Sequence, residues 1–225
     1  MQGKKNANRW ERDVEVTAGT VKLEGILGLP PNAKGVVLFA HGSGSGRFSP
    51  RNNFVAHVLQ DSGLATLLID LLTEQEARDR RLVFDIGLLA ERLIAATTWL
   101  RQQPETRDLP IGYFGASTGA AAALVAAARE GEVIGAVVSR GGRPDLAGGF
   151  LTKVKAPTLL IVGGYDEPVI TLNRDAYRLL PGTKDLVIVP RATHLFEEPG
   201  ALEEVARLAR DWVQRYLTAA RKRAA

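Results

Sequence analysis

The sequence predicts an α/β fold in which a mostly parallel sheet is covered by helices on both faces. Two observations lead to this prediction. Apolar runs of strand length alternate with helical patterns along the chain. The runs are continuously apolar, as expected of strands buried on both sides. A length of 225 residues suits a single domain over 1–225. We expect frayed tails at about 1–12 and 219–225.

Each predicted element is set by its apolar pattern and its flanking glycines or prolines. Two early strands, which we expect to be antiparallel, are predicted at Val14–Val16 and Val21–Leu29. Buried strands are predicted at Val36–Ala40, Ala65–Asp70, Ile111–Gly115, Ile134–Ser139, Thr158–Val162 and Leu186–Val189. Helices are predicted at Asn52–Asp61, Val83–Gln103, Thr118–Arg129, Ile170–Leu180 and Ala201–Leu217. The last helix carries an apolar stripe at helical spacing, which is typical of a core-facing helix.

The segment Gly115-Ala-Ser-Thr-Gly119 lies between an apolar strand and an alanine-rich helix. Strand, Gly-x-Ser-x-Gly and helix form the sequence pattern of a nucleophile elbow. Glycines two residues on either side of the serine avoid collisions on so sharp a turn. The pentapeptide alone occurs by chance, but its position favours Ser117 as a nucleophile that attacks an acyl carbon.

A serine nucleophile needs a base, and the chain has three histidines, His41, His57 and His194. His57 falls within a helical pattern, where a packed or half-exposed role is typical. His41 follows an apolar strand and precedes a glycine-serine loop, so we expect it to shape that loop. His194 follows a strand, lies in a short loop, and is C-terminal to the elbow. By elimination His194 is the predicted base.

The third member of a triad is an acid between the serine and the histidine in chain order. Asp166 stands just past the strand Thr158–Val162, at the sheet edge where open α/β folds bind ligands. Glu167 is the fallback, and Asp145, in the loop after an earlier strand, is a weaker candidate. A solvated loop carboxylate is the alternative interpretation for each of them.

The loop His41-Gly-Ser-Gly-Ser-Gly46 follows an early strand and has the features of an oxyanion loop. We predict the backbone N–H groups of Thr118 and Ser43 as the two oxyanion donors. A phosphate-binding loop is the rival interpretation, but no Gly-Lys-Ser/Thr follows and no Gly-x-Gly-x-x-Gly register fits. A flexible linker is disfavoured because the loop is short and lies between strong elements.

Four motifs in this order resemble those of the dienelactone-hydrolase-like α/β-hydrolases, over about Val14 to Leu217. They are Phe39-Ala-His-Gly-Ser-Gly-Ser-Gly-Arg47, Gly115-Ala-Ser-Thr-Gly119, Gly163-Gly-Tyr-Asp166 and Ala192-Thr-His-Leu-Phe-Glu197. The resemblance implies an α/β-hydrolase fold with Ser117 as nucleophile, His194 as base and Asp166 as acid. It also shows a departure. Family enzymes that open dienelactones use cysteine at the elbow, whereas this chain has serine, so ordinary carboxylic esters are the expected substrates.

No cap domain is expected, because only residues 140–155 separate the strand after the elbow helix from the next strand. An open site favours small or short-acyl esters. Thioesterase, lactonase, acyltransferase and peptidase activities share the same acyl-enzyme and stay open. A hydrolase-fold binding protein with an inactive site is the alternative outside enzymes, although its usual mark, a broken triad, is missing.

Two arginines suggest a hypothesis about the substrate. Arg47 follows the oxyanion loop and Arg140 follows a strand end, so either could bind a substrate carboxylate through its fork of N–H groups. The alternative is an ion pair within the protein, with Asp145, Asp70 or Glu74 as partners. The remaining residues of the predicted substrate-binding set flank the catalytic motifs and are His41, Gly42 and Tyr165.

Composition limits the partners. The formal net charge of +4, from 29 basic and 25 acidic residues, is modest, and no nucleic-acid-binding motif accompanies it. No apolar stretch has the length of a membrane span, and the first ten residues lack an apolar signal core. The absence of cysteine is typical of a cytoplasmic enzyme. We expect a small-molecule ester as partner, with no cofactor, metal, nucleic acid or membrane, and the oligomeric state is left open.

Overall fold

Eight strands form one sheet in the computed structural model, which describes residues 11–224. Their order across the sheet is β1-β2-β4-β3-β5-β6-β7-β8. The β1–β2 and β2–β4 pairs are antiparallel, and the other pairs are parallel. The strands are β1 (Glu11–Ala18), β2 (Val21–Gly28), β3 (Val36–Ala40), β4 (Ala65–Ile69), β5 (Ile111–Ala116), β6 (Ile134–Arg140), β7 (Thr158–Gly163) and β8 (Lys184–Val189).

Helices cover both faces of this sheet, as the continuously apolar strands predicted. They are α1 (Pro50–Asp61), α2 (Arg80–Val83), α3 (Ile86–Gln102), α4 (Thr118–Glu130), α5 (Glu167–Leu179) and α6 (Ala201–Ala224). Helices α1 and α6 contribute to the apolar core on one face, and α3, α4 and α5 contribute to the core on the other. The predicted α/β-hydrolase architecture is therefore confirmed.

The alanine-rich helix α4 is buried on nearly every side. Residues 118–127 are all buried, because α4 lies between the sheet, α3 and the segment Pro144–Lys153. Alanine side chains let these neighbours approach closely without leaving voids. Packing against these neighbours thus fixes α4, and with it the position of the first helical turn after Ser117.

The segment where a cap would be inserted is short. Pro144–Lys153 forms 3₁₀ turns interrupted by a kink at Gly148, where φ is 52°. It packs on α4 and α5 and forms no separate cap domain, as predicted. Among the helices of residues 11–224, none combines the length and the apolarity that crossing a membrane needs.

Several boundaries differ from the sequence prediction. β1 begins at Glu11, inside the tail expected over 1–12, because its first residues pair with the end of β2. Residues 1–10 and 225 of the expected tails lie outside the described residues. The final helix continues to Ala224 instead of ending at Leu217, so the tail expected from 219 is helical. The short helix α2 was not predicted.

Candidate active site

The carboxyl ends of the six parallel strands meet at one edge of the sheet. Because β5 and β6 pair in register, Ala116 lies opposite Arg140. Ser117 follows directly, and its N–H donates to the Arg140 carbonyl at 3.3 Å. The loops after β7 and β8 carry Asp166 and His194 to the same edge. The topology therefore carries the three residues that the sequence predicts as a triad to the same edge of the sheet.

Ser117 is in strained backbone geometry, with φ 50° and ψ −121°, which non-glycine residues rarely adopt. It is the N-cap of α4, but its side chain makes no capping hydrogen bond. The hydroxyl is thereby left at the positive end of a helix, where a developing negative charge is stabilised. Strain of this kind is characteristic of functional sites.

Both elbow glycines are required by close packing. A Cβ on Gly115 would lie 2.8 Å from the Ala120 nitrogen, and one on Gly119 would collide with the carbonyl oxygens of Ala40 and His41. Any side chain at either position would push α4 away from β3 and β5. The steric reason given for the Gly-x-Ser-x-Gly pattern is therefore found in the structure.

His194 and Asp166 form a hydrogen-bonded pair. His194 Nδ1 lies 2.6 Å from Asp166 Oδ2, and the two side chains are 38% and 14% exposed. This contact places the Nδ1 proton toward the carboxylate and leaves Nε2 as the acceptor. The imidazole also adjoins Gly141, since a Cβ built there would lie 3.5 Å from His194 Cε1. Gly141 directly follows Arg140, whose carbonyl binds Ser117.

The other candidate acids are placed differently. Glu167 is exposed in the first turn of α5. Asp145 is bound by Arg143, whose guanidinium contacts its two carboxylate oxygens at 2.9 and 2.8 Å. Of the three candidate acids, Asp166 is therefore the one that forms the hydrogen bond with His194.

The other two histidines have the structural roles that the sequence indicated. His41 Nε2 accepts the Leu71 N–H at 3.0 Å, and its Nδ1 lies 3.0 Å from the Gly42 carbonyl. This ring ties the loop after β3 to the loop after β4. Burial lowers the pKa of His41, so the neutral ring is favoured. His57, on α1, pairs with Glu11 at 3.2 Å.

The predicted oxyanion loop lies against Ser117. A Cβ on Gly42 would be 2.9 Å from Ser117 Cβ, so only glycine allows this approach. Ser43 N–H donates to Thr118 Oγ1 at 3.1 Å, which fixes the loop to the first residue of α4. Thr118 N–H, at the first helical position, has no partner within its helix by geometry. The two residues that carry the predicted donors, Ser43 and Thr118, are thus in direct contact with each other.

The remaining predicted substrate-binding residues have different surroundings. The Arg47 guanidinium binds Asp70 and also Glu24, at 2.5 Å, so the internal ion pair is observed. The Tyr165 side chain is 65% exposed beside Asp166. The Arg140 guanidinium is buried against α1 and donates to Asn52 Oδ1 at 3.4 Å.

A cleft of about 820 Å³ opens beside the oxyanion loop. Its walls include residues 41–51, the loop after β4 and Thr118. Charged side chains of both signs line it, among them Lys22, Glu24, Arg51 and Glu74. Arg51 and Asn52 were not singled out from the sequence, because no local pattern distinguishes them from other residues of a helix N-terminus.

A family model described as the dienelactone hydrolase family matches residues 23–219. This match covers most of the chain. The chain belongs to the dienelactone hydrolase family. A structure described as dienelactone hydrolase from Anabaena variabilis is 63% identical, with a TM-score of 0.91, and the match covers 93% of this chain and 99% of that one. The resemblance inferred from the four motifs is confirmed, and this family membership supports a hydrolase.

Two further relatives differ in what they add. A Mycobacterium tuberculosis protein provisionally named a phosphoribosyl transferase is 60% identical over 202 residues, which cover 90% of this chain. The chain spans about half of that relative, 46% of its length. A structure described as Est1E from Butyrivibrio proteoclasticus is 17% identical with a TM-score of 0.77, and the match covers 91% of this chain and 98% of that one. This second likeness shows the shared fold alone.

Proposed function

We propose that this member of the family is a serine hydrolase that cleaves carboxylic esters through Ser117, His194 and Asp166. The observation that carries the proposal is the 2.6 Å contact between His194 Nδ1 and Asp166 Oδ2, at the sheet edge that also holds the strained elbow serine. A carboxylate on one ring nitrogen of the base and a strained serine at a helix N-terminus are two of the features that an activated nucleophile requires, and they support the proposal.

In this mechanism Ser117 Oγ attacks the ester carbonyl while His194 Nε2 takes its proton. Asp166 holds the imidazole in the tautomer that this transfer requires and stabilises the imidazolium. His194 then gives the proton to the leaving alcohol, which leaves an acyl group on Ser117. Water attacks the acyl-enzyme with His194 again as base, and the acid product is released.

The N–H groups of Thr118 and Ser43 would hold the negative oxygen of the tetrahedral intermediate. Each such donor contributes roughly 3–4 kcal/mol to the transition state in acyl-transfer enzymes. In the free protein the Ser43 N–H is directed to Thr118 Oγ1, so this hydroxyl keeps the donor beside the elbow. The oxyanion would share the Ser43 N–H with that hydroxyl.

Small or short-acyl esters are the proposed substrates, because no cap domain supplies an apolar tunnel over Ser117. A steady rise in kcat/KM toward long acyl chains would contradict this choice. Thioesterase, lactonase and acyltransferase activities use the same acyl-enzyme, and thioester panels and product analysis with added alcohol distinguish them. A cytoplasmic location and the absence of nucleic-acid and membrane partners stay predictions.

The test is covalent labelling with a fluorophosphonate, followed by intact-protein mass and mapping of the modified peptide. We expect one adduct on Ser117 and none in the Ser117→Ala variant. A folded wild-type protein that forms no adduct would favour a binding protein with an inactive site. An adduct on another serine would contradict the assignment of the nucleophile.

A further inference from the structure

The loop after β6, residues 140–143 (the β6 loop), holds the backbone of the proposed nucleophile from two sides. Ser117 N–H donates to the Arg140 carbonyl at 3.3 Å, and Arg143 N–H donates to the Ser117 carbonyl at 3.1 Å. Both backbone polar groups of the elbow residue are thus bound by this one loop. Because a φ of 50° is costly for serine, these contacts help to keep the elbow in its conformation.

The same loop packs against the proposed base. Gly141 lies so close to His194 that an added Cβ would be 3.1 Å from the His194 carbonyl oxygen and 3.5 Å from its Cε1. Gly142 is buried next to it, and an added Cβ there would lie 2.6 Å from Ala120 Cβ, in the first turn of α4. A displacement of the β6 loop would therefore be transmitted to both the nucleophile and the base.

Asn173, on α5, fixes the middle of this loop. Its Nδ2 donates to the Gly142 carbonyl at 3.0 Å and to the Val169 carbonyl, four residues earlier in α5, at 2.8 Å. Helix α5 begins directly after Asp166, which is its N-cap residue. The Asn173 amide thus joins the helix that follows the proposed acid to the loop that holds the nucleophile.

Packing alone does not explain an asparagine at this position. The other buried residues of α5 are apolar, whereas Asn173 is fully buried and its Oδ1 has no hydrogen-bond partner among the described residues. A buried amide with an unsatisfied oxygen lowers stability relative to an apolar side chain of similar size. The bond to the Gly142 carbonyl connects the amide to a residue outside its own helix, so the role of Asn173 lies in this bond.

We propose that Asn173 is a positioning residue, which sets the geometry of Ser117 and His194 through the β6 loop. This inference rests on the proposed function, because it concerns how the two proposed catalytic side chains are aligned. Misalignment by about 1 Å costs up to about 100-fold in rate. Loss of the bond to Gly142, which is remote from the substrate, should therefore lower kcat and leave substrate binding nearly unchanged.

The test replaces the amide by a hydroxyl on a side chain of similar size. In Asn173→Thr the hydroxyl can still donate to the Val169 carbonyl, as Thr97 does to the carbonyl four residues earlier in α3. It has a single proton, so the Gly142 carbonyl loses its donor. For the 4-nitrophenyl ester of pentanoate we expect kcat to fall by about 10- to 100-fold, with KM changed by less than about threefold. Fluorophosphonate labelling of Ser117 should slow by a similar factor, since it also needs the aligned base.

The matched control is Thr97→Val. Thr97 is also fully buried in a helix, and it also binds a second element, through the Tyr113 hydroxyl at 2.6 Å. This control should lower the melting temperature about as much as Asn173→Thr and keep the wild-type kcat, because Thr97 joins α3 to the middle of β5 and not to a loop of the catalytic edge. A loss of kcat in proportion to the loss of stability in both variants would show a merely structural role and overturn the proposal.

Asn173→Ser is the second variant, for the case that threonine at this position prevents folding. Its smaller side chain adds no bulk to the buried site, and it also leaves the Gly142 carbonyl without its donor. Fluorophosphonate labelling of the wild type separates the two failures. No adduct on Ser117 in the folded wild type contradicts the proposed function itself. A labelled, active wild type, together with a wild-type kcat in Asn173→Thr or Asn173→Ser, rejects the role of Asn173 alone.

Discussion

The loops after β3 and β8 each carry a histidine at the same edge of the sheet, yet the two rings have different partners. Both nitrogens of His41 lie against backbone groups, the Leu71 N–H and the Gly42 carbonyl. His194 has a carboxylate on one nitrogen, and its side chain is 38% exposed. An imidazole whose two nitrogens both contact backbone groups serves to join loops. An imidazole with a carboxylate on one nitrogen keeps the other nitrogen free to act as a base.

The largest expected effect separates these two histidines by activity. Ser117→Ala and His194→Ala should each lower kcat by about three to six orders of magnitude with little change in stability, because the nucleophile or its base is removed. His41→Gln should act mainly on stability, since its ring makes loop contacts. Steady-state kinetics with a short-acyl 4-nitrophenyl ester, together with thermal unfolding, measures both effects. A nearly wild-type kcat in His194→Ala would contradict the assignment of His194 as the base.

A second experiment tests whether the loop after β3 positions the oxyanion donors. Gly42→Ala places a methyl group against Ser117, so the loop must move, and misplacement by about 1 Å costs up to about 100-fold in rate. We expect kcat to fall by about 10- to 100-fold. The control is Gly44→Ala, in the same loop, where an added Cβ meets no atom within 4 Å.

Gly44 has φ 70°, so its alanine variant should lose about 1 kcal/mol of stability while keeping most of its activity. Equal activities for the two alanine variants would show that the contact between Gly42 and Ser117 has no catalytic importance.

A third prediction concerns the ion pairs that hold the loop after β3. Arg47→Met leaves the partly buried Asp70 without its guanidinium partner, and we expect a loss of about 1–3 kcal/mol in unfolding free energy. The kcat/KM ratio between a 4-nitrophenyl ester whose acyl chain ends in a carboxylate, the glutarate half-ester, and the neutral pentanoate ester should stay as in the wild type, because Asp70 and Glu24 already bind the Arg47 guanidinium. Chemical denaturation and kinetics with these two esters provide the measurements. A collapse of the ratio would return Arg47 to the substrate-binding role that the sequence suggested.

The smallest effect is the pH dependence of stability that His41 causes. Because its pKa is lowered in the folded protein, the unfolded chain binds more protons once the pH falls below the ordinary histidine pKa of about 6.5. The stability that the neutral ring contributes is present above that pH and is lost as the pH falls toward the lowered value. His41→Gln should therefore lose less thermal stability than the wild type between pH 7 and pH 5. If the melting temperatures of the wild type and of His41→Gln fell equally over this pH range, the result would contradict this role of His41.

The fold and the order of the candidate catalytic residues were open to prediction from the sequence because they depend on local patterns. Continuous apolar runs indicate buried parallel strands, and Gly115 and Gly119 mark the sharp turn at Ser117. The partners of the arginines were predicted only in part, because the sequence offered Asp70 as one of three possible ion-pair partners and did not point to Glu24 or Asn52. Arg47 meets Glu24 and Asp70, and Arg140 meets Asn52, only because the strands and α1 are folded together.

Element ends were also predicted less well than element centres. β1 is longer than its apolar pattern because its polar first residues pair with β2, whose hydrogen bonds do not depend on side-chain polarity. The short helix α2 has an Asp79 side-chain cap and little apolar periodicity, so its sequence resembles a loop. Pairing and capping in three dimensions set these boundaries.

The most direct test of the central claim is fluorophosphonate labelling of the wild type, His41→Gln and His194→Gln, read by intact-protein mass. The account predicts a single adduct on Ser117 in the wild type and in His41→Gln, and a rate of labelling reduced by at least about 1,000-fold in His194→Gln. Rapid labelling of His194→Gln, with slow labelling of folded His41→Gln, would show that His41 activates the serine and would contradict the account.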